Sequence, residues 1–236
     1  MTLEELLKKL ARGKLSNLPV ASGGEIRDKD LVRVIDAVNE GIARLYTLFP
    51  LKEKNLILEV YEGRTEYELT SEHSFRKWTG EEDVHDPFDF YIRDTDEHPF
   101  EDDIQTISEV WDDLDRLRPL NDPDDPLAVF TPQQNWISLN FSPQGRVLNI
   151  IYWAKHKLLT ADDLTEIIEL PTNLIGALLS FTAYSIHGDM NTETAVQNSQ
   201  KYYAEYQAIV NEVVQNGTIT PDKLVSAKKF IRRGWV

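Results

Sequence analysis

Apolar residues recur along this chain with two different periods, and the change of period marks its organisation. Leu3, Leu6, Leu7 and Leu10 predict a short amphipathic helix, and Thr2 with Glu5 three residues later is a capping-box pair. Gly13 suits the helix exit, and residues 14–27, with Pro19 and Gly23-Gly24, read as a loop. Leu31, Ile35, Val38, Ile42, Leu45 and Phe49 then recur at alternating steps of four and three. That spacing draws one apolar stripe along a helix over 28–49, about five turns long. Asp28 or Asp30 is expected to cap it, and Pro50 to end it.

After Pro50 the period drops to two. Leu56, Leu58 and Val60, then Thr65, Tyr67 and Leu69 beyond a Glu62-Gly63-Arg64 turn, alternate with polar residues and predict a β-hairpin. Short strand-like pieces follow at Ile104 to Val110 and Arg116 to Leu120, among Asp-Pro and Glu-Asp clusters. Ala128 to Thr131, Asn135 to Asn140 and Arg146 to Trp153 read as further strands, the last two joined by a Ser142-Pro143-Gln144-Gly145 turn.

Helical spacing returns after Asp162-Asp163. Leu174, Ile175, Leu178, Leu179, Phe181 and Ile186 leave the segment from Pro171 to Gly188 almost no polar face, so it is expected to be the central buried helix. A last helix, capped by Asn191 or Thr192, carries the seam Ala195, Ser199, Tyr202, Tyr206, Ile209 and Val213 and exits at Gly217. The tyrosines on that seam (Tyr202, Tyr203, Tyr206) read as a core face rather than a stacking platform.

The expected fold class is α+β: a helical bundle formed by the N- and C-terminal helices, with an inserted β-rich domain. The corresponding segments are 1–50 and 161–217 for the bundle, 51–160 for the insertion and 218–236 for a basic C-terminal tail. No repeat is evident.

Composition changes this picture in one respect. The net charge is −15, from 25 Lys+Arg against 40 Asp+Glu. Residues 81–126 hold 18 acids and only Arg93, Arg116 and Arg118 as bases, while the other 190 residues balance at 22 of each sign. The acidity therefore belongs to one segment, and it argues against wrapping nucleic acid as the main task. Asp102, Asp103, Asp112, Asp113, Asp124 and Asp125 are the candidate acidic surface. With no Cys, thiolate catalysis, zinc ribbons and disulfide scaffolds are excluded. Residues 1–14 alternate acids and bases without an apolar core, so no signal peptide is expected. The longest uncharged run, Leu170 to Gly188, suits a buried helix better than a membrane span.

Candidate chemistry is sparse. There is no P-loop, dinucleotide turn, HExxH, nucleophile elbow or EF-hand spacing. His85-Asp86, His98 and Glu101-Asp102-Asp103 could hold a divalent cation or supply a carboxylate pair to a hydrolase; the plainer reading is a solvated acidic loop. The acidic segment could also imitate DNA phosphates in an interaction protein. The tail carries Lys223, Lys228, Lys229, Arg232 and Arg233 before Gly234-Trp235-Val236, an aromatic beside charge, as interface hot spots have.

Three phrases, in this order, resemble the head–tail adaptor (connector) proteins of tailed bacteriophages. They are LVRVIDAVNEGIARLYTLFPLKEKNLILEV, AVFTPQQNWISLNFSPQGRVLNIIYWAKH and IELPTNLIGALLSFTAYSIHGDMNTETAVQNSQKYYAEYQAIV, together roughly half the chain. The resemblance implies a structural virion protein without enzymatic activity or cofactor, found at the head–tail junction and in the host cytoplasm during assembly. It implies a ring of about twelve copies beneath the portal protein, with neighbouring copies, a downstream tail protein and passing genomic DNA as its contacts and no membrane. By position at the terminus it also makes Lys228, Lys229, Ile231, Arg232, Arg233 and Trp235 the portal-docking residues.

Overall fold

The computed structural model describes residues 1–77, 89–95, 98–140, 146–190, 192–217 and 219. They form two units, Met1–Leu51 with residues 156–219, and Lys52–Lys155, each with its own apolar core. The fold class is mixed α+β, with four helices and several antiparallel sheets among the described residues.

In the first unit, helix α1 (Leu3–Arg12) starts on the anticipated capping box: the Thr2 hydroxyl accepts from Glu5 N–H at 3.3 Å, and the Glu5 carboxylate accepts from Thr2 N–H at 3.1 Å. Thr2→Ala is expected to lower the unit's stability by about 1 kcal/mol in chemical denaturation, because the Glu5 N–H in the first turn loses its side-chain acceptor. Leu3, Leu6, Leu7 and Leu10 are all buried. The segment read as a loop contains a miniature hairpin, β1 (Ala21–Ser22) and β2 (Glu25–Ile26). Gly23 and Gly24 turn it at φ of 63° and 83°, a pair of left-handed positions that glycine adopts without Cβ strain.

Helix α2 (Asp28–Leu48) is not capped as expected: its N-cap is Arg27, which makes no side-chain capping bond. Asp28 and Asp30 lie inside the first turn, where their charge meets the positive end of the helix dipole. Helix α3 (Thr172–Gly188) buries residues around most of its circumference, among them Leu174, Leu178, Phe181, Thr182 and Ile186. It packs against α2 and against α4 (Glu193–Asn216), and touches α1. Thr192 caps α4, its hydroxyl accepting from Ala195 N–H at 3.3 Å, and Gly217 closes it at φ 56°; Asn191 lies outside the described residues.

The α2–α3 approach depends on Gly41. A Cβ there would meet Leu178 Cδ1 at 2.8 Å and Phe181 Cδ1 at 2.9 Å, both inside van der Waals contact. Gly41→Ala is therefore expected to destabilise the unit by about 1–3 kcal/mol, since both obstructing atoms sit in a filled core. A thermal or urea melt checks this. A stabilising outcome, the normal result for Gly→Ala in a helix, would show that the crossing is looser than described.

The two described sheets of the second unit are antiparallel. Its larger sheet is ordered β5-β3-β10-β6-β7, from β3 (Glu53–Val60), β5 (Ile92–Arg93), β6 (Ile104–Asp112), β7 (Leu117–Arg118) and β10 (Arg146–Ala154). Its smaller sheet is β4-β9-β8, from β4 (Glu66–Glu68), β8 (Val129–Gln133) and β9 (Trp136–Leu139). The strands Leu56–Val60 and Thr65–Leu69 do not form the expected hairpin. Both edges of β3 are taken, by β10 and β5, so β4 leaves to pair with β9 in the other sheet. Leu56, Leu58 and Val60 still face Tyr67 and Leu69 through one shared core. The Tyr67 hydroxyl accepts from Tyr61 N–H at 2.8 Å and fixes the corner where the chain changes sheet. Strands β9 and β10 likewise belong to different sheets, and residues 141–145 between them lie outside the described set.

Candidate interaction surfaces

The acidic segment does two jobs, and only one of them is at the surface. Asp112 ends β6 with 5% exposure. Its Oδ1 accepts from Leu114 N–H at 3.0 Å and Arg116 N–H at 2.9 Å, and its Oδ2 lies 2.8 Å from Arg116 Nη2 and 3.0 Å from Arg118 Nη2. Burial pushes the Asp112 carboxyl up, but these N–H and guanidinium contacts outweigh it and hold the group below the usual carboxylate range. Asp112 thus departs from the expected acidic surface: it is the buried hub of the β6–β7 turn.

The other acidic candidates lie nearer solvent. Asp113 is half-buried to exposed and receives Arg146 Nη1 at 2.8 Å on both oxygens. Asp102, at φ 57°, accepts from Ser71 N–H at 2.5 Å and from the Ser71 hydroxyl at 2.6 Å. Asp125 accepts from Leu127 N–H at 2.7 Å, and Asp124 donates its N–H to Asp122 at 3.0 Å. Much of this carboxylate therefore shapes turns, as Asp does when it satisfies the N–H two residues ahead. The described residues bring Asp112 and Asp113 to one turn and Asp102 and Asp103 to one strand entry, while Asp124 and Asp125 shape a second turn.

The cluster considered for catalysis is divided. His85 and Asp86 lie outside the described residues. His98 and Glu101 line a cleft of about 380 Å³ in the second unit, with Lys54, Arg93 and Tyr152. Lys54 Nζ stands 2.7 Å from Glu101 and 2.6 Å from Asp103, and the Tyr152 hydroxyl donates to Asp103 at 3.0 Å. Burial lowers the Lys54 pKa, yet its bonds to Asp103 and Glu101 prevail and raise it above the ordinary lysine value. Tyr152 is raised by burial and by the Asp103 charge, so its hydroxyl stays protonated and donating. Lys54 thus bridges two carboxylates and Tyr152 supports one of them, which is the layout of a structural ion-pair network. Among the described residues no group of three or more His, Asp or Glu is placed to hold a metal ion.

The tyrosine seam of α4 behaves as core. Tyr206 is 6% exposed and meets Phe181 edge-on at 5.4 Å, while Tyr203 packs on Tyr184 at 4.9 Å. Lys228, Lys229, Ile231, Arg232, Arg233 and Trp235 all lie outside the described residues.

One grouping was missed from the sequence. Arg116 and Arg118, two of the three bases in the acidic run, stand with Arg146 around a cavity in the second unit. Their spacing of two residues, which puts both on one face of a strand, was the available signal.

The described residues define a mixed α+β protein in which Asp102, Asp112, Asp113 and the Lys54–Glu101–Asp103 group serve turns and ion pairs. The sequence model of the family described as SU10 adaptor protein matches residues 1–224, and the chain belongs to that family, one of phage head–tail adaptors. It is accordingly a component of the virion that works through contacts with other phage head or tail proteins. No curated protein matches the chain. No described helix is long and apolar enough to cross a membrane.

Proposed function

We propose that this protein is a non-enzymatic head–tail adaptor that forms a ring beneath the portal and connects the DNA-filled capsid to the tail. The observation that carries the reading is the family match over residues 1–224, and it favours the adaptor over the hydrolase and the DNA mimic. In this reading the helices of 1–50 and 161–217 form a bundle, and 51–160 is a β-rich domain inserted into it. The shared core of α1, α2, α3 and α4 supports that arrangement. Ring contacts are heterologous, one face of each copy meeting a different face of the next. A chain acidic over 81–126 and basic over 218–236 has complementary surfaces for such contacts. Exposed carboxylates at Asp102, Asp113 and Asp124 would also repel DNA passing through the ring.

The basic tail is the portal-docking element of this proposal, with Lys228, Lys229, Arg232 and Arg233 supplying charge and Ile231 and Trp235 the apolar anchor. Removing residues 219–236 is expected to abolish co-sedimentation with the cognate portal while leaving the circular dichroism spectrum intact and lowering the melting temperature only slightly, through loss of the partly buried Ile219. Undiminished portal binding by the shortened chain would move the docking element elsewhere.

A further inference from the structure

The larger sheet of the second unit has a face turned away from its core. Val147, Asn149, Ile151 and Trp153 of β10 lie on that face, alternating with the core residues Leu148, Ile150 and Tyr152. Ile57 of β3 and Trp111 of β6 stand directly across from Asn149, one on each side, and Leu117 of β7 lies beyond Trp111. An antiparallel sheet with one face on a core normally presents polar residues on the other. This one presents Ile57, Trp111, Leu117, Val147, Ile151 and Trp153, and none of the six belongs to either core. Ile151 is buried at the centre, while Ile57 is 36% exposed and Leu117 55%. Two tryptophans among four aliphatic side chains make an interaction surface rather than a solvated sheet face. Its charged positions are Glu53, Glu59 and Glu109 against Arg93. Residues 52–155 as a whole hold 24 acids and 10 bases. An occupant of this face is therefore both apolar and basic.

The chain itself carries such a segment. Residues 219–236 hold five bases and one acid, with Leu224, Phe230, Ile231 and Trp235 as apolar members. We propose that in the free protein this tail occupies the outer face of the larger sheet of its own chain. Its apolar side chains cover Ile57, Trp111 and Trp153, and its lysines and arginines lie beside Glu53, Glu59 and Glu109. Length does not limit the contact. Extended, the segment spans about 60 Å at ~3.3 Å per residue, against a radius of gyration of about 13 Å for a unit of about 100 residues. Tethering also presents the tail to its own sheet at an effective concentration in the millimolar range, well above that of a second copy in dilute solution. The contact does not rest on the adaptor reading. If the tail also docks on the portal, as proposed above, the two contacts exclude each other. The portal then has to draw the tail off the sheet, and the free chain keeps its aromatic anchor covered until it does.

The chain has no Cys, so Ser226→Cys gives a single attachment point for a nitroxide within the tail. In the ¹⁵N-labelled full chain carrying that label, the Trp111 and Trp153 indole N–H signals are expected to fall about threefold, as a tail seated most of the time requires. Reducing the nitroxide should restore them. Trp136 is the internal reference. Its neighbour Ile137 faces the shared core, so Trp136 stands on the outer side of the smaller sheet, across the unit, and its signal should hardly change. Ile57→Glu with Leu117→Glu, both at exposed positions, should release the tail and bring Trp111 back to the level of Trp136. The comparison of Trp111 with Trp136 on the unaltered face stands even if that variant folds poorly. Mixing ¹⁵N-labelled chain of unaltered sequence with nitroxide-bearing chain of natural isotope content should give no loss. A loss in that mixture would assign the face to the tail of a second copy and overturn the proposal. Equal loss at all three indoles, or none at Trp111 and Trp153, would overturn it as well. These measurements need no portal, so their failure leaves portal docking by the tail standing, and failure of portal docking leaves them standing.

Discussion

Replacing Phe181 by Ala is expected to cost the helical unit about 3–5 kcal/mol, the range for truncating a fully buried aromatic. Phe181 is 0% exposed and stands where three helices meet. On the α2 side its ring would touch any Cβ at Gly41, and the Arg44 guanidinium lies 4.9 Å from its centroid. On the α4 side Tyr206 meets it edge-on, and within α3 Tyr184 packs against it at 5.6 Å. Truncation removes contacts on all three sides at once, and the helix backbones cannot close the void without moving together. Urea denaturation followed by circular dichroism at the helical band reads the loss directly. A change below about 1 kcal/mol would mean that the three-helix junction can collapse around the gap, contrary to the close approach at Gly41.

The second large effect falls on the β unit. Asp112→Asn is expected to cost about 3–5 kcal/mol, the range for breaking a buried ion pair by removing one partner. The amide can replace one carboxylate oxygen as an acceptor, but it cannot neutralise the guanidiniums of Arg116 and Arg118. The substitution also has a pH signature. Because contacts in the folded state hold the Asp112 carboxyl below its ordinary value, its contribution is fully present above the unfolded-state pKa of about 3.9. It is lost as pH falls through the lower folded-state value. The unaltered protein should therefore lose stability across that acid window more steeply than the Asn variant. Parallel acid limbs for the two proteins would show that Asp112 is not the buried hub described here.

These two residues also illustrate what could be read from the sequence. Phe181 lay in an apolar run too dense for a surface helix, and burial all round was the physical consequence. The stripes of α1, α2 and α4 were equally legible, because helical spacing depends only on local order along the chain. Gly41 was not legible. Nothing in its flanking residues separates a glycine that admits Leu178 and Phe181 from one that merely sits on a helix. Strand pairing was lost for a related reason. Alternation at Leu56, Leu58 and Val60 identifies the inward face, but it does not identify the neighbour. The neighbours proved to be β10, some ninety residues later, and the short β5.

Asp112 shows the limit of counting charge. In composition it is one of 18 acids in an acidic run, indistinguishable from Asp113 beside it. In the fold, Asp112 is the inward-facing last residue of β6, and Asp113 is the exposed first residue of the turn that follows. One carboxylate holds a turn together and the other meets Arg146 near solvent. Asp102, Asp115 and Asn121 have φ of 57°, 57° and 55°, left-handed values that Asp and Asn tolerate better than most residues. Part of the acidity of 81–126 is thus the chemistry of its turns.

The proposed role requires this chain to assemble with a portal as a closed ring. Electron microscopy of the full-length protein mixed with its cognate portal tests it most directly. One additional ring of fixed copy number is expected on one end of the portal, absent from portal alone and lost with the chain lacking residues 219–236. Portal particles without that ring, at protein concentrations well above those in the assembling head, would contradict it.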